Sequence, residues 1–314
     1  MKICSLLPSA TEILFALGLG DQVVGVSHEC DFPPEARSRH VLIKSRISHT
    51  ESPAAIDRQV REFLARGESL YSVDLEAMRA IEPDLIVTQD LCHVCAATPD
   101  DLASALSRLT RPPQVVTLNP HSLADVCADI RLVGRATGSF DRAEAVIANF
   151  EKVLARVQPV AAGTVRTRVL CLEWLDPLYV AGHWVPEMVE RAGGTDVAGQ
   201  AGKPSFRITW EAVVEAQPEV IVIMPCGYSL QDAEKEFGAM SLPREWHDLP
   251  AVRTGRVFIV EASGYFSRPG PRLADGLLIL ADAIRAESQT PHTPQGSEPI
   301  LRIQTGAVSL GPPA

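Results

Sequence analysis

Short apolar runs alternate along this chain with stretches whose apolar residues recur at helical spacing. Ile3 to Leu7 reads as a strand, Thr11 to Leu17 as a helix, and Val23 to Val26, Leu85 to Thr88 and Val115 to Leu118 as further strands. This is the grammar of an α/β unit with a largely parallel sheet. At the first strand-to-helix turn, Ser9-Ala10-Thr11-Glu12 fits a capping box, which gives Glu12 a structural task.

From Ser139 to Val157, apolar residues fall at Ala143, Val146, Ile147, Phe150, Val153, Leu154 and Val157, one face of a helix of about five turns. Beyond Pro159 and Gly163 the alternation restarts at Val169 to Leu172 and continues through Val220 to Met224 and Val257 to Val260. The expected organisation is an N-terminal α/β lobe over 1–136, a linker helix over 137–160 and a C-terminal α/β lobe over 161–286. Residues 287–314 are rich in Pro, Ser, Thr and Gln, a composition that predicts a disordered tail.

A segment of the first half is echoed in the second. Asp74-Leu75-Glu76-Ala77-Met78-Arg79-Ala80-Ile81-Glu82-Pro83-Asp84-Leu85-Ile86-Val87 matches Thr209-Trp210-Glu211-Ala212-Val213-Val214-Glu215-Ala216-Gln217-Pro218-Glu219-Val220-Ile221-Val222. Each reads as a short helix, a proline-stopped turn and a buried strand. Glu76 and Glu211 thus fall at equivalent helix N-termini, where the helix dipole favours a carboxylate. One such carboxylate per lobe also forms a symmetrical anionic pair for a basic partner.

Charge narrows the field. With 39 acidic against 29 basic residues the net charge is -10, which argues against nucleic acid or an anionic membrane as partner. No apolar run approaches the roughly 20 residues of a membrane span. The N-terminus passes into a strand with no apolar leader, and the seven cysteines are an odd count in a chain too long to need disulfides. Both point to a cytoplasmic location, with a periplasmic one as the alternative if translation starts upstream. Serine-nucleophile elbows, phosphate-binding glycine loops and zinc-protease motifs are missing, which weighs against an enzyme.

Several motifs together carry a resemblance over about residues 3–285. They are Leu6-Leu7-Pro8-Ser9-Ala10-Thr11-Glu12, Val24-Gly25-Val26-Ser27 with Asp31-Phe32-Pro33-Pro34, both glutamate repeats, Ala181-Gly182 with Val189-Glu190-Arg191-Ala192-Gly193-Gly194, and Ser267-Arg268-Pro269-Gly270-Pro271-Arg272. In this order they resemble the class III substrate-binding proteins of ABC importers, which bind vitamin B12, iron-siderophores or haem. The B12 binders resemble it most. The resemblance implies two α/β lobes with mainly parallel sheets joined by a single long helix, a ligand in the inter-lobe cleft, and no catalysis. It also implies that Glu76 and Glu211 dock onto an ABC permease, and that Phe206, Tyr265 and Phe266 line the cleft.

Aromatic residues are only 5% of the chain, yet Trp174, Trp184, Phe206, Tyr228, Tyr265 and Phe266 gather in loops and strand ends of the second half. Such rings suit the rim of a macrocycle. Arg268 belongs to the same expected ligand-binding set.

Cysteines and histidines depart from the family pattern. His28, Cys30 and Asp31 follow one strand, Cys92-His93-Val94-Cys95 follows another, and Cys226 follows a third. Carboxyl ends of parallel strands face the ligand crevice, so these groups can converge there. They read as small lining groups, as direct contacts to a corrinoid, as a zinc or iron-sulfur site using Cys92, Cys95, Cys30 and His28, or as a redox pair. Cys4, Cys127 and Cys171 sit in apolar patterns and are expected in the core.

The expected function is therefore binding of cobalamin or a related corrinoid, by a monomeric importer component or a cytoplasmic corrinoid carrier. Haem or a ferric siderophore is the alternative ligand. A metal- or thiol-dependent enzyme using Cys92 and Cys95 is the rival from another class.

Overall fold

A computed structural model describes residues 1–47, 52–90, 102, 106–158, 161, 163–286 and 300–303. The chain divides into two compact units, Met1–Phe150 with Pro269–Pro271, and Glu151–Arg268 with the described residues from Arg272 onward. The division falls inside the helix Phe140–Leu154. That helix has 15 residues, about four turns where the apolar pattern predicts five. Its pattern runs on to Val157, but the amides of Arg156 and Val157 reach back only three residues, to Val153 and Leu154, so the chain closes there in turns.

The first unit holds strands β1 (Ile3–Ser5), β2 (Val23–Ser27), β3 (His40–Ser45), β4 (Tyr71–Val73), β5 (Leu85–Gln89) and β6 (Gln114–Leu118), in the sheet order β4-β3-β2-β1-β5-β6. Every neighbouring pair is parallel except β3 with β4. The second holds β7 (Thr167–Leu175), β8 (Leu178–Val180), β9 (Gly194–Asp196), β10 (Phe206–Arg207), β11 (Val220–Ile223), β12 (Val257–Val260) and β13 (Ile300–Arg302), in the order β10-β8-β7-β11-β12-β13. β9 pairs with the start of β7, on Thr167 to Val169. Its core gathers Leu170, Leu172, Ile221, Ile223, Phe237, Trp246 and Ile259, all buried.

Two expectations from sequence change here. Residues 287–314 were expected to form a disordered tail, yet Ile300–Arg302 adds an antiparallel strand to β12. The capping box does not form. The first helix is Pro8–Ala16, its N-cap is Leu7, and no side chain caps it. Proline carries a φ already suited to the first helical position, so the helix starts one residue before Ser9. Ser9 is then 1% exposed, and its hydroxyl has no hydrogen-bond partner.

The repeated segment is the same structure twice. Asp74 and Thr209 cap the helices Leu75–Ile81 and Trp210–Ala216 by accepting from the amides of Ala77 and Ala212. Glu82 and Gln217 end them in the left-handed region, at φ 47° and 42°. Buried Pro83 and Pro218 follow, and then β5 and β11, which pair in parallel with β1 and β7. Asp84 and Glu219 each accept from a backbone amide, of Lys2 and Arg168, at 2.8 Å. The side chains of Lys2 and Arg168 close the motif by donating to the Ile81 and Ala216 carbonyls, at 2.7 and 2.6 Å. A cation on the last helical carbonyl satisfies an orphan acceptor and complements the dipole.

Candidate functional site

In each unit the carboxyl ends of the central strands are where an α/β sheet presents a ligand-binding surface. The two surfaces differ in chemistry. In the first unit β1 ends at Ser5, β2 at Ser27 and β5 at Thr88 and Gln89, each less than 9% exposed. Thr11 Oγ1 lies 2.8 Å from Ser5 Oγ, 3.0 Å from Cys30 Sγ and 3.2 Å from the Leu7 carbonyl, and its single proton serves one of them at a time. Cys30 Sγ is also 3.3 Å from Ser27 Oγ. Cys30 is thus 4% exposed and part of a hydroxyl network that ties β1, β2 and the first helix together.

His28 keeps an exposed position beyond β2. Its Nε2 is 3.8 Å from Glu29 Oε1, and its ring stands 6.3 Å from that of Tyr71, tilted by 53°. Asp31 is half-buried. Cys92, His93 and Cys95 lie outside the described residues. Among the described residues, no group of three or more His, Cys, Asp or Glu side chains is arranged to hold a metal ion. Glu12 is 4% exposed, and Gly270 of the Pro269–Pro271 segment passes close to its carboxyl and to Ser9.

The second unit presents rings instead. Trp174, at the end of β7, meets Tyr228, beyond β11, edge-on at 5.6 Å and 79°. Trp174 Nε1 donates to the Asp176 carbonyl at 3.1 Å, which fixes the indole's rotation. Half-buried Cys226 donates its amide to the Glu173 carbonyl at 3.1 Å, tying the two strand ends. Burial pushes the Tyr228 hydroxyl up to about 12, helped by Glu236 and Asp232, so the phenol stays protonated. These three expected site residues are brought together.

The other aromatics separate into two kinds. Trp184 and Phe266 are interior, 4% and 2% exposed, joined by a 2.8 Å hydrogen bond from the indole to the Phe266 carbonyl. Phe206 is 37% exposed on β10, while Tyr265 is half-buried with the Arg272 guanidinium 5.7 Å above its ring. Arg268 is half-buried nearby in sequence. Cys4, Cys127 and Cys171 are core residues as expected, and burial pushes the Cys4 thiol up to about 12.

Sequence reasoning passed over the buried polar strand ends. Every buried polar or charged residue among those described belongs to the first unit: Ser5, Ser9, Thr11, Glu12, Ser27, Thr88, Gln89, Asp129 and Ser139. The signal was present in the polar endings of otherwise apolar strands, Leu85-Ile86-Val87-Thr88-Gln89 above all. Asp129 lies on the helix Leu123–Ala136 that follows β6. Burial pushes its carboxyl up to about 7, the Asp125 charge adds to this, and a hydrogen bond from the Asn119 backbone opposes it.

Glu76 and Glu211 are both exposed in the first turns of their helices. The Thr209 hydroxyl and its own amide hold the Glu211 carboxyl below the usual range.

Residues 3–263 match the family described as periplasmic binding protein. The uncharacterized ABC transporter substrate-binding lipoprotein YvrC of Bacillus subtilis is 28% identical, over 90% of this chain and 79% of its own. The vitamin B12-binding protein of Vibrio parahaemolyticus is 24% identical, over 90% and 88%. Among solved structures, the periplasmic heme-binding protein RhuT from Roseiflexus, in apo form, aligns with a TM-score of 0.66 at 26% identity, over 90% of this chain and 97% of its own. These relatives overturn the cytoplasmic location expected from the N-terminal residues and the odd cysteine count, since they are a lipoprotein and a periplasmic protein. Met1 and Lys2 lead straight into β1, which constrains the fold and not the address.

Proposed function

Since this chain belongs to the periplasmic binding protein family, a family of non-catalytic substrate-binding proteins of ABC importers, we propose that its ligand is cobalamin or a related corrinoid. The family fixes the coarser statement: two α/β units with mixed, mostly parallel sheets serve ligand binding, with an ABC permease as the family's partner. The observation that carries the finer one is the pairing of Trp174 and Tyr228 beside Cys226, in a chain whose relative over 90% of its length is a vitamin B12-binding protein. A corrinoid offers an apolar ring edge to such rings and neutral amides to hydroxyl and amide side chains. The relatives also support action on the outer side of the cytoplasmic membrane.

Haem is the second reading, favoured by the likeness to a heme-binding protein. Its carboxylates call for cationic partners, a chemistry that Arg268 and Arg272 of the second unit could supply. Calorimetric titration with cyanocobalamin, hydroxocobalamin and hemin, read also by their visible spectra, separates the two. Nanomolar corrinoid affinity, about -12 kcal/mol, with weaker hemin binding is the expected result. Hemin binding without any corrinoid binding replaces the proposal with the second reading.

Exposed Glu76 and Glu211 serve in this proposal as the permease-facing pair. Their support is that one motif builds both, with the same cap, the same left-handed stop and the same exposure. Replacing both with Ala should abolish docking to the permease while leaving ligand titration unchanged. Docking that survives the double replacement removes the assignment.

A further inference from the structure

The ring pair of the second unit stands in an acidic setting. Tyr228 is followed at once by Ser229, the N-cap of the helix Leu230–Ala239, whose hydroxyl oxygen accepts from the Asp232 amide. The same hydroxyl donates to Asp232 Oδ2 at 2.6 Å, which fastens that carboxylate at the start of the helix. Glu236 comes one turn later on the same side and is half-buried. The charges of both reach the Tyr228 phenol, where they reinforce burial in holding its proton.

Positive charge is engaged elsewhere. Arg207 on β10 donates from Nε to the Tyr179 hydroxyl at 2.9 Å, and its guanidinium lies 5.5 Å from that ring. Tyr179 belongs to β8, two strands from β11, about 10 Å away at ordinary strand spacing. That exceeds the roughly 8 Å screening length of physiological salt. On the helix itself, exposed Lys235 is offset by exposed Glu234 beside it. Asp232 and Glu236 thus set the sign of the field at the corner. Aromatic faces attract cations through the ring quadrupole, tryptophan most strongly. Rings and carboxylates therefore favour the same kind of guest, and both disfavour one that brings its own carboxylates to this corner.

Resting on the corrinoid reading above, we propose that the Trp174–Tyr228 corner, together with Asp232 and Glu236, selects among corrinoids by charge, preferring a form with a positive charge at cobalt to a neutral one. In cobalamin, water as the upper cobalt ligand leaves the molecule with a positive charge, and cyanide in the same place cancels it. The rings give up their surface to both forms alike. The carboxylates act on the difference.

Calorimetric titration of the full chain with hydroxocobalamin and cyanocobalamin tests this at about pH 6, where the cobalt-bound hydroxide takes up a proton and the first ligand becomes a cation. The wild-type chain should bind the cation about 10-fold tighter than cyanocobalamin, and the ratio should shrink as salt is raised towards about 1 M. Asp232→Asn/Glu236→Gln, near-isosteric and neutral, should bring the two affinities together. Glu236→Gln alone leaves the Ser229 cap intact and should reduce the ratio to about threefold, which decides the matter even where the double variant does not fold. Equal binding of the two forms by wild type overturns charge selection and leaves the corrinoid reading standing. A preference that survives neutralisation of both carboxylates also overturns it, since a side chain bonded directly to cobalt would leave that result. A chain that binds neither form removes the corrinoid reading and charge selection together.

Discussion

The two units carry one motif and opposite interiors. Each ties a short helix to its strand through a proline turn, a carboxylate on a backbone amide and a cation on the last helical carbonyl. Around that shared frame the first unit buries hydroxyls, an amide and two carboxyls, while the second has no wholly buried polar residue among those described, though one carboxyl oxygen of Asp196 is buried, and sets Trp174 against Tyr228 instead. The lesson is that the frame and the lining vary independently. Outward-facing Glu76 and Glu211 keep matched positions, and the strand ends are free to specialise.

The sharpest way to break this contrast is through acidity. Asp129 in the first unit holds a carboxyl raised to about 7, against about 3.9 for an ordinary aspartate. At this site the folded state then binds more protons between those values, so the contribution of Asp129 to stability falls as pH rises from about 4 to about 7 and is level above. The loss amounts to up to roughly 4 kcal/mol. Asp129→Asn should flatten this slope, which urea unfolding at pH 5 and pH 8 measures; an unchanged slope would assign it elsewhere.

Next in size is the aromatic corner. Trp174→Ala should weaken ligand binding by about 100-fold, near 3 kcal/mol, through lost ring burial. Tyr228→Phe, which keeps the ring, should change it less than about threefold. Calorimetry reads both, and equal losses would shift the emphasis from ring surface to the phenol.

A smaller effect belongs to the hydroxyl network. Thr11→Val keeps the shape but leaves Ser5 and Cys30 short of a partner, and should cost about 1–2 kcal/mol in chemical unfolding. The smallest tests the likeness of the frames. Glu82→Gly and Gln217→Gly each relieve a left-handed backbone and should raise Tm slightly, by the same amount in either unit, within about 1 kcal/mol. A gain confined to one of them would show that the repeat is shared in shape and not in strain.

Much of this frame was legible in the sequence because it is local. Caps, proline stops and apolar strands are set by neighbours a few residues apart, so the repeated segment could be read directly. The capping box failed for an equally local reason, since Pro8 competes with Ser9 for the helix start and its fixed φ wins. Cys30 follows a strand end, a position that from sequence points its thiol to the ligand mouth. Its burial depends on Thr11 and Ser5, far off in the chain, which no short-range pattern reports. The same holds for β13, whose polar, proline-rich approach hides four residues that fit a distant edge.

Strand order also gives the molecule two mechanically different ends. β1 lies in mid-sheet, with parallel neighbours β2 and β5 on either side and the amide of the preceding Lys2 fastened to Asp84. A pull on the N-terminus therefore loads two ladders in shear, where all bonds resist together. β13 has one neighbour and runs along an edge, so a pull across the strand there peels its bonds in turn. Anything that grips this chain, whether a tether or an unfolding motor, meets a clamp at one end and a zipper at the other.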